Sequence, residues 1–128
     1  MKSLLSFLTE GVVRLEPTEE YQSQFGKSYD SKFVNGSYKF FTIIGTLNTP
    51  LGEIEYGIVN ETTVEIISIY IYNAFRGEGV APQAIKMFMQ TLGKKTLIVH
   101  YTPTSKKFWL KNGFTPMQGV ANYVAKTF

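Results

Sequence analysis

The sequence predicts a mixed α/β fold, and three observations carry that prediction. Tyr38–Leu47, Glu53–Val59 and Val64–Tyr72 are consecutive runs rich in β-branched and aromatic residues, separated by short turn-forming stretches. The third run ends in a loop with glycines at Gly77 and Gly79, and a helical apolar pattern begins directly after it. A further strand-like run, Thr96–Tyr101, and a second helix ending at Gly113-Phe114 complete the alternation. At 128 residues the chain is sized for one domain, able to bury about two thirds of its unfolded surface.

In chain order, Val12–Leu15 reads as a first strand, Pro17–Tyr29 as a polar stretch with helical tendency, and Asp30–Gly36 as a loop. Tyr38–Leu47 and Glu53–Val59 are joined through Asn48-Thr49-Pro50-Leu51-Gly52, a turn-rich segment that implies a hairpin. Glu53 and Glu55 alternate with Ile54, Tyr56 and Ile58, so both acids are expected on a solvated strand face. Asn60-Glu61 then turns the chain into Val64–Tyr72. In the helix that follows, Ala81, Ala84, Ile85, Phe88, Met89 and Leu92 fall on one face, which is read as core. Pro82 suits the first turn and Gly93 the end. Thr102-Pro103 is an N-cap and first-turn pair for a helix running to about Asn112. Gly113 then fits a left-handed position, and Phe114 the hydrophobic contact after it.

Composition removes several classes of chemistry. With no cysteine there are no disulfides, no thiol catalysis and no Cys-based zinc site, and one histidine cannot build a multi-histidine metal site. No run of about 18 apolar residues exists, so no membrane-spanning helix is expected. The formal charge is +3, with lysines dispersed apart from Lys94-Lys95 and Lys106-Lys107. That fits a solvated surface better than a nucleic-acid patch, and it would also draw in an anionic cofactor.

A strand feeding a glycine-containing turn into a helix N-terminus forms an anion socket. Glycine lets the backbone approach a ligand, and the helix N–H groups point at it with the positive dipole end behind them. The expected ligand is a phosphate or pyrophosphate. Neither G-x-G-x-x-G nor G-x-x-x-x-G-K-[ST] is present. Arg76-Gly77-Glu78-Gly79-Val80-Ala81 instead resembles the R/Q-x-x-G-x-G/A loop of the GCN5-related N-acetyltransferase (GNAT) superfamily, which cradles the coenzyme A pyrophosphate. Phe108-Trp109-Leu110-Lys111-Asn112-Gly113-Phe114 resembles the same family's aromatic-x-lysine-x-Gly-Phe helix ending. The resemblance covers roughly Tyr38 to Phe128.

That resemblance implies a GNAT fold: a mixed, mostly antiparallel central sheet with helices on both faces, occupying residues 11–128 as one domain. It implies acetyl-CoA as co-substrate, no metal, and transfer of acetyl to an amine of a small molecule or protein by a monomer or homodimer in the cytoplasm. By the same resemblance, Ile69, Tyr70 and Ile71 would pair their backbone groups with the pantetheine arm. Gly77, Gly79, Val80 and Ala81 would offer N–H groups to the pyrophosphate, with Arg76 and Glu78 completing the loop. The resemblance would also put Trp109 beside the cofactor sulfur, where many members carry a tyrosine able to protonate the leaving thiolate. An indole N–H is a poor acid. The asparagine often found seven residues earlier is Thr102 here, and Tyr101 and His100 are the substitutes within reach in sequence.

Glu65 is the candidate general base. Strand alternation puts it on a face with Ile67, Ile69 and Ile71, and burial makes a carboxylate a stronger base. It lies eleven residues before Arg76, the spacing at which histone-modifying members of the superfamily carry their catalytic glutamate. Met1–Gly11 has a second resemblance, to the capsid-targeting leader of internal head proteins from T4-like bacteriophages. Leu8-Thr9-Glu10 before Gly11 matches the cleavage pattern of the prohead protease. A leader of that kind implies packaging in a virion and delivery into a bacterial host. The alternative to an enzyme is a non-catalytic binding protein of the same fold acting on a host factor.

Overall fold

The computed structural model describes residues 11–19 and 31–128. The leader-like segment 1–10 and most of the helical stretch expected before the second strand lie outside the described residues. The described elements are β1 (Arg14–Thr18), β2 (Lys39–Ile44), β3 (Pro50–Ile58), β4 (Thr63–Ile71), α1 (Val80–Leu92), β5 (Thr96–His100), α2 (Lys106–Lys111), β6 (Thr115–Pro116) and β7 (Tyr123–Thr127). The strands form one sheet in the order β1-β2-β3-β4-β5-β7-β6. Neighbours are antiparallel except β4 and β5, which run parallel. A parallel pair needs a crossover connection, and α1 supplies it. The sheet is therefore mixed and mostly antiparallel, as expected.

Two strand boundaries differ from expectation. β1 starts at Arg14 and runs through Pro17, which the sheet tolerates because β1 is an edge strand. The β2–β3 turn lies at Gly45–Thr49, upstream of the predicted segment, and β3 already begins at Pro50. Thr49 closes this turn before the proline can: Gly45 N–H donates to the Thr49 carbonyl at 2.8 Å and Thr49 Oγ1 to the Thr46 carbonyl at 2.7 Å.

The core sits between the sheet and α1. Val80, Ala84, Ile85, Phe88 and Met89 are buried, so the apolar stripe begins at Val80 and leaves Ala81 half-buried. Phe88 meets Tyr56 edge-on at 5.1 Å and Phe41 at 6.1 Å, and Phe41 stacks on Tyr56 at 5.1 Å. Each such contact is worth about 0.5–1.5 kcal/mol beyond its buried area. Burial in this cluster pushes the Tyr56 phenol up from its ordinary pKa.

The second helix shows how local chemistry fixes an end. Thr102 Oγ1 accepts from the Ser105 N–H at 3.2 Å while Ser105 Oγ accepts from the Thr102 N–H at 3.0 Å, a reciprocal cap. Regular helix begins only at Lys106, later than predicted. At the other end Gly113 (φ 89°) donates to the Leu110 carbonyl and Phe114 N–H to that of Trp109. The Trp109 and Phe114 rings meet at 5.0 Å, completing a Schellman motif with its hydrophobic contact.

One irregularity reorganises β4. Ile54 faces Ile69 and Glu55 faces Ser68, but Tyr56 faces Ile66, so Ile67 is an extra residue in β4 opposite the Glu55/Tyr56 step. Such a bulge bends its strand and resets the alternation. Ile69 and Ile71 consequently pack on the α1 side with Val64 and Ile66. Glu65, opposite Gly57, falls on the other face with Ser68 and Tyr70. The expectation that Glu65 shares a face with Ile69 and Ile71 is corrected: simple alternation cannot see a bulge. The solvated face expected for Glu53 and Glu55 is corrected too. They are only 6% and 2% exposed, on the covered face opposite α1. Tyr72 Oη donates to Glu53 and Ser68 Oγ to Glu55, each at 3.4 Å. Burial, then the charge and hydrogen bond of Glu53, push the Tyr72 phenol up to about 12.

Candidate active site

β4 and β5 are paired only from Thr63↔Thr96 to Ile66↔Val99. β5 ends one residue later, at His100, whereas β4 continues to Ile71 and is bent at Ile67. The two strands therefore part, and the gap between them opens at their C-terminal ends, next to α1 and α2.

Two adjoining cavities occupy this gap. The larger, about 610 Å³, is walled by Ile69, Tyr70 and Ile71 of β4, by the loop residues Arg76, Gly77 and Gly79, and by Val80 and Ala81 at the start of α1. Its far wall is α2, through Phe108, Trp109 and Lys111. A volume of this order suits a cofactor-sized ligand. The structure thus brings together every residue expected around the cofactor except Glu78, which is not part of the wall. The second cavity, about 450 Å³, shares Ile69, Ser105 and Trp109 with the first and continues past them to Ser68, His100 and Thr102.

The loop has the geometry of an anion socket. Gly77 and Gly79 have φ of 79° and 75°, a region that L side chains rarely adopt, and a Cβ on either would point into open space. Gly79 occupies the N-cap of α1, and among the described residues no side chain caps the helix. The first-turn N–H groups, with Pro82 contributing none, face a site that only an external acceptor would fill. Arg76 holds the loop against the strand. Its Nε donates to the Ile71 carbonyl at 2.9 Å, and its guanidinium lies 4.8 Å from the Tyr70 ring centre.

Trp109 is 3% exposed, wedged edge-on between Phe108 and Phe114 at 5.0 Å each, and presents its remaining edge to both cavities. Glu65 is fully buried. One carboxylate oxygen accepts from Ser31 Oγ and the other from Tyr123 Oη at 3.3 Å, and Glu65 lines neither cavity. His100, named in the sequence only as a neighbour of the expected site, stands in the wall of the second cavity. Tyr101 is packed against the core beneath the Lys106 ammonium, 5.3 Å from its ring centre. Among the described residues no group of three or more His, Asp or Glu could hold a metal ion, and no helix is long and apolar enough to cross a membrane.

No family model matches the sequence, and no curated protein matches it. Solved structures do match. The N-acetyltransferase PseH of Campylobacter jejuni, in complex with acetyl coenzyme A, superimposes with a TM-score of 0.57 at 20% identity, over 73% of this chain and 70% of that one. The spermidine N-acetyltransferase of Vibrio cholerae, in complex with CoA and spermine, gives 0.59 at 13% identity over 72% and 66%. Tetrahymena GCN5 gives 0.56 at 12% identity over 73% and 69%. The fold is that of the GNAT acetyltransferases.

Proposed function

We propose that the protein is an acetyl-CoA-dependent N-acetyltransferase, residues 11–128 forming one domain that moves acetyl to an amine of a small molecule or protein. One observation carries the reading: the gap between β4 and β5 is continuous with the glycine loop at the uncapped start of α1. A long thioester with a diphosphate at one end and an acyl group at the other needs a socket of that kind joined to a slot between strands. In this reading, the Ile69–Ile71 stretch of β4, with Tyr70 between, runs along the pantetheine arm and holds it. Gly77, Gly79, Val80 and Ala81 hold the diphosphate, Arg76 and Glu78 border it, and the thioester lies against Trp109. Holding two substrates in one orientation supplies much of the acceleration such a transfer needs.

Glu65 serves the amine side of the site through Tyr123, since its own carboxylate is enclosed. The thiolate leaves without a strong protein acid, because Trp109 stands where a phenol would otherwise be. The leader-like residues 1–10 extend the proposal to a protein packaged in a virion and delivered into a host cytoplasm; purified virions containing a chain that begins at Gly11 would support it.

Acetyl-CoA titrated by calorimetry, followed by mass spectrometry of a lysate incubated with protein and cofactor, tests the central reading. Micromolar binding with new acetyl-amines is the expected result, and no binding would overturn it. The enclosure of Glu65 and the tryptophan at position 109 favour a second reading, a non-catalytic binding protein of this fold. Cofactor binding without transfer to any amine would select it.

A further inference from the structure

Resting on the acetyltransferase reading, we infer that His100 is the residue that takes the proton from the acceptor amine. His100 is the last residue of β5, one step beyond the final β4–β5 pair, Ile66↔Val99, and so stands where the strands begin to part. It lines the second cavity, which joins the cofactor cavity across Ile69, Ser105 and Trp109. An acyl group reaching past Trp109 therefore enters the space that His100 borders. The other side chains of that wall are hydrocarbon, the hydroxyls of Ser68, Thr102 and Ser105, and the indole of Trp109. Imidazole is the one group among them with a nitrogen lone pair that can accept a proton.

The ring is held for the task. It meets the Tyr123 ring at 4.9 Å and 61°, and Tyr123 is 2% exposed. Tyr123 in turn donates its hydroxyl to Glu65, and Phe33 packs edge-on against it at 5.1 Å. Glu65 and Tyr123 are thereby positioning residues, which gives the buried carboxylate a role that does not require it to reach the substrate. Among the described residues the titratable groups facing His100 are Tyr123 on β7 and, beyond it, Glu65 on β4.

The proton count closes. The acceptor arrives as an ammonium ion and gives one proton to the imidazole, leaving a free amine. Its lone pair forms the C–N bond to the thioester carbonyl carbon, and the C–S bond breaks. The second proton on nitrogen passes to the departing thiolate, giving amide and free CoA thiol, and the imidazolium returns its proton to solvent.

His100 is the only histidine of the chain, so its ring signals in an NMR spectrum need no assignment. Acetyl-CoA bound to the native protein should move them. His100→Gln and His100→Asn should keep the calorimetric acetyl-CoA affinity. Each should lower kcat for whichever amine the native chain acetylates by about 10²–10⁴-fold, the usual loss of a general base. They should also change the pH profile of kcat/KM. Ring signals that stay fixed while calorimetry shows acetyl-CoA bound would overturn the inference, as would a His100→Gln enzyme with native kcat and pH profile. A native chain that binds no acetyl-CoA would instead sink the acetyltransferase reading beneath it.

Discussion

The two halves of β4 are built from similar residues and have different surroundings. Before Ile67, Val64, Glu65 and Ile66 are enclosed, with β3 on one side and β5 on the other. After it, Ser68–Ile71 keeps β3 but has lost β5, and the same kind of isoleucine-rich backbone becomes the wall of a cavity. Residue type does not distinguish the halves. What differs is whether a neighbouring strand or a cavity borders that edge of the backbone. A strand acquires a cavity along its edge by losing a partner there, and one extra residue bends it at that point.

Removing Ile67 should break the comparison outright. Without the bulge β4 runs straight and can pair with β5 beyond Val99, which closes the gap. We expect a variant with native-like circular dichroism and no detectable acetyl-CoA binding; native affinity after the deletion would mean that the bulge does not create the site.

Gly79→Val should act only on the cavity that the second half walls. Its φ of 75° disfavours a β-branched residue, and the added side chain fills the space a diphosphate would occupy. Losing one hydrogen bond to a charged group costs about 1.5–3 kcal/mol, or roughly 10- to 150-fold in Kd. Calorimetry on a variant checked for folding measures it, and unchanged affinity would place the cofactor elsewhere.

Val64→Ala addresses the first half. Val64 has no exposed surface, and the two lost carbons plus the void they leave should cost about 2 kcal/mol of stability in urea unfolding. Acetyl-CoA affinity should not change, because Val64 lines neither cavity. A loss of affinity with little loss of stability would blur the division of β4 into a structural and a binding half.

The smallest effect concerns the end of the strand. Tyr72 keeps its proton to about pH 12 in the fold but only to about 10.0 when unfolded. The unfolded chain therefore releases that proton first. Its contribution to stability should be complete below pH 10.0 and fall away as pH rises toward 12. Tyr72→Phe should show a flatter loss of stability across that window, and an unchanged slope would mean that the contact with Glu53 matters little to folding.

Much of the site was legible before the structure because its determinants are local. A glycine with positive φ, an apolar stripe at helical spacing and a helix end at Asn112-Gly113-Phe114 are fixed by residues within a turn or two of one another. The loop at Arg76–Ala81, the wall at Ile69–Ile71 and the place of Trp109 followed from such features together with the family resemblance. His100 was visible as a residue near the site, and nothing in its neighbours marked it as part of a cavity wall.

The sequence by itself therefore determined the elements, their order and the glycine socket. Only the tertiary structure decided which way β4 faces after Ile67, because a bulge is defined by the register with β3 and leaves no mark on local spacing. Tertiary packing alone put Glu53 and Glu55 under cover and enclosed Glu65 against Tyr123 and Ser31. Alternation tells which residues share a face, but whether that face meets water depends on chain segments distant in sequence. The place of His100 in a cavity wall has the same origin: it exists because two strands that pair through Val99 stop pairing there.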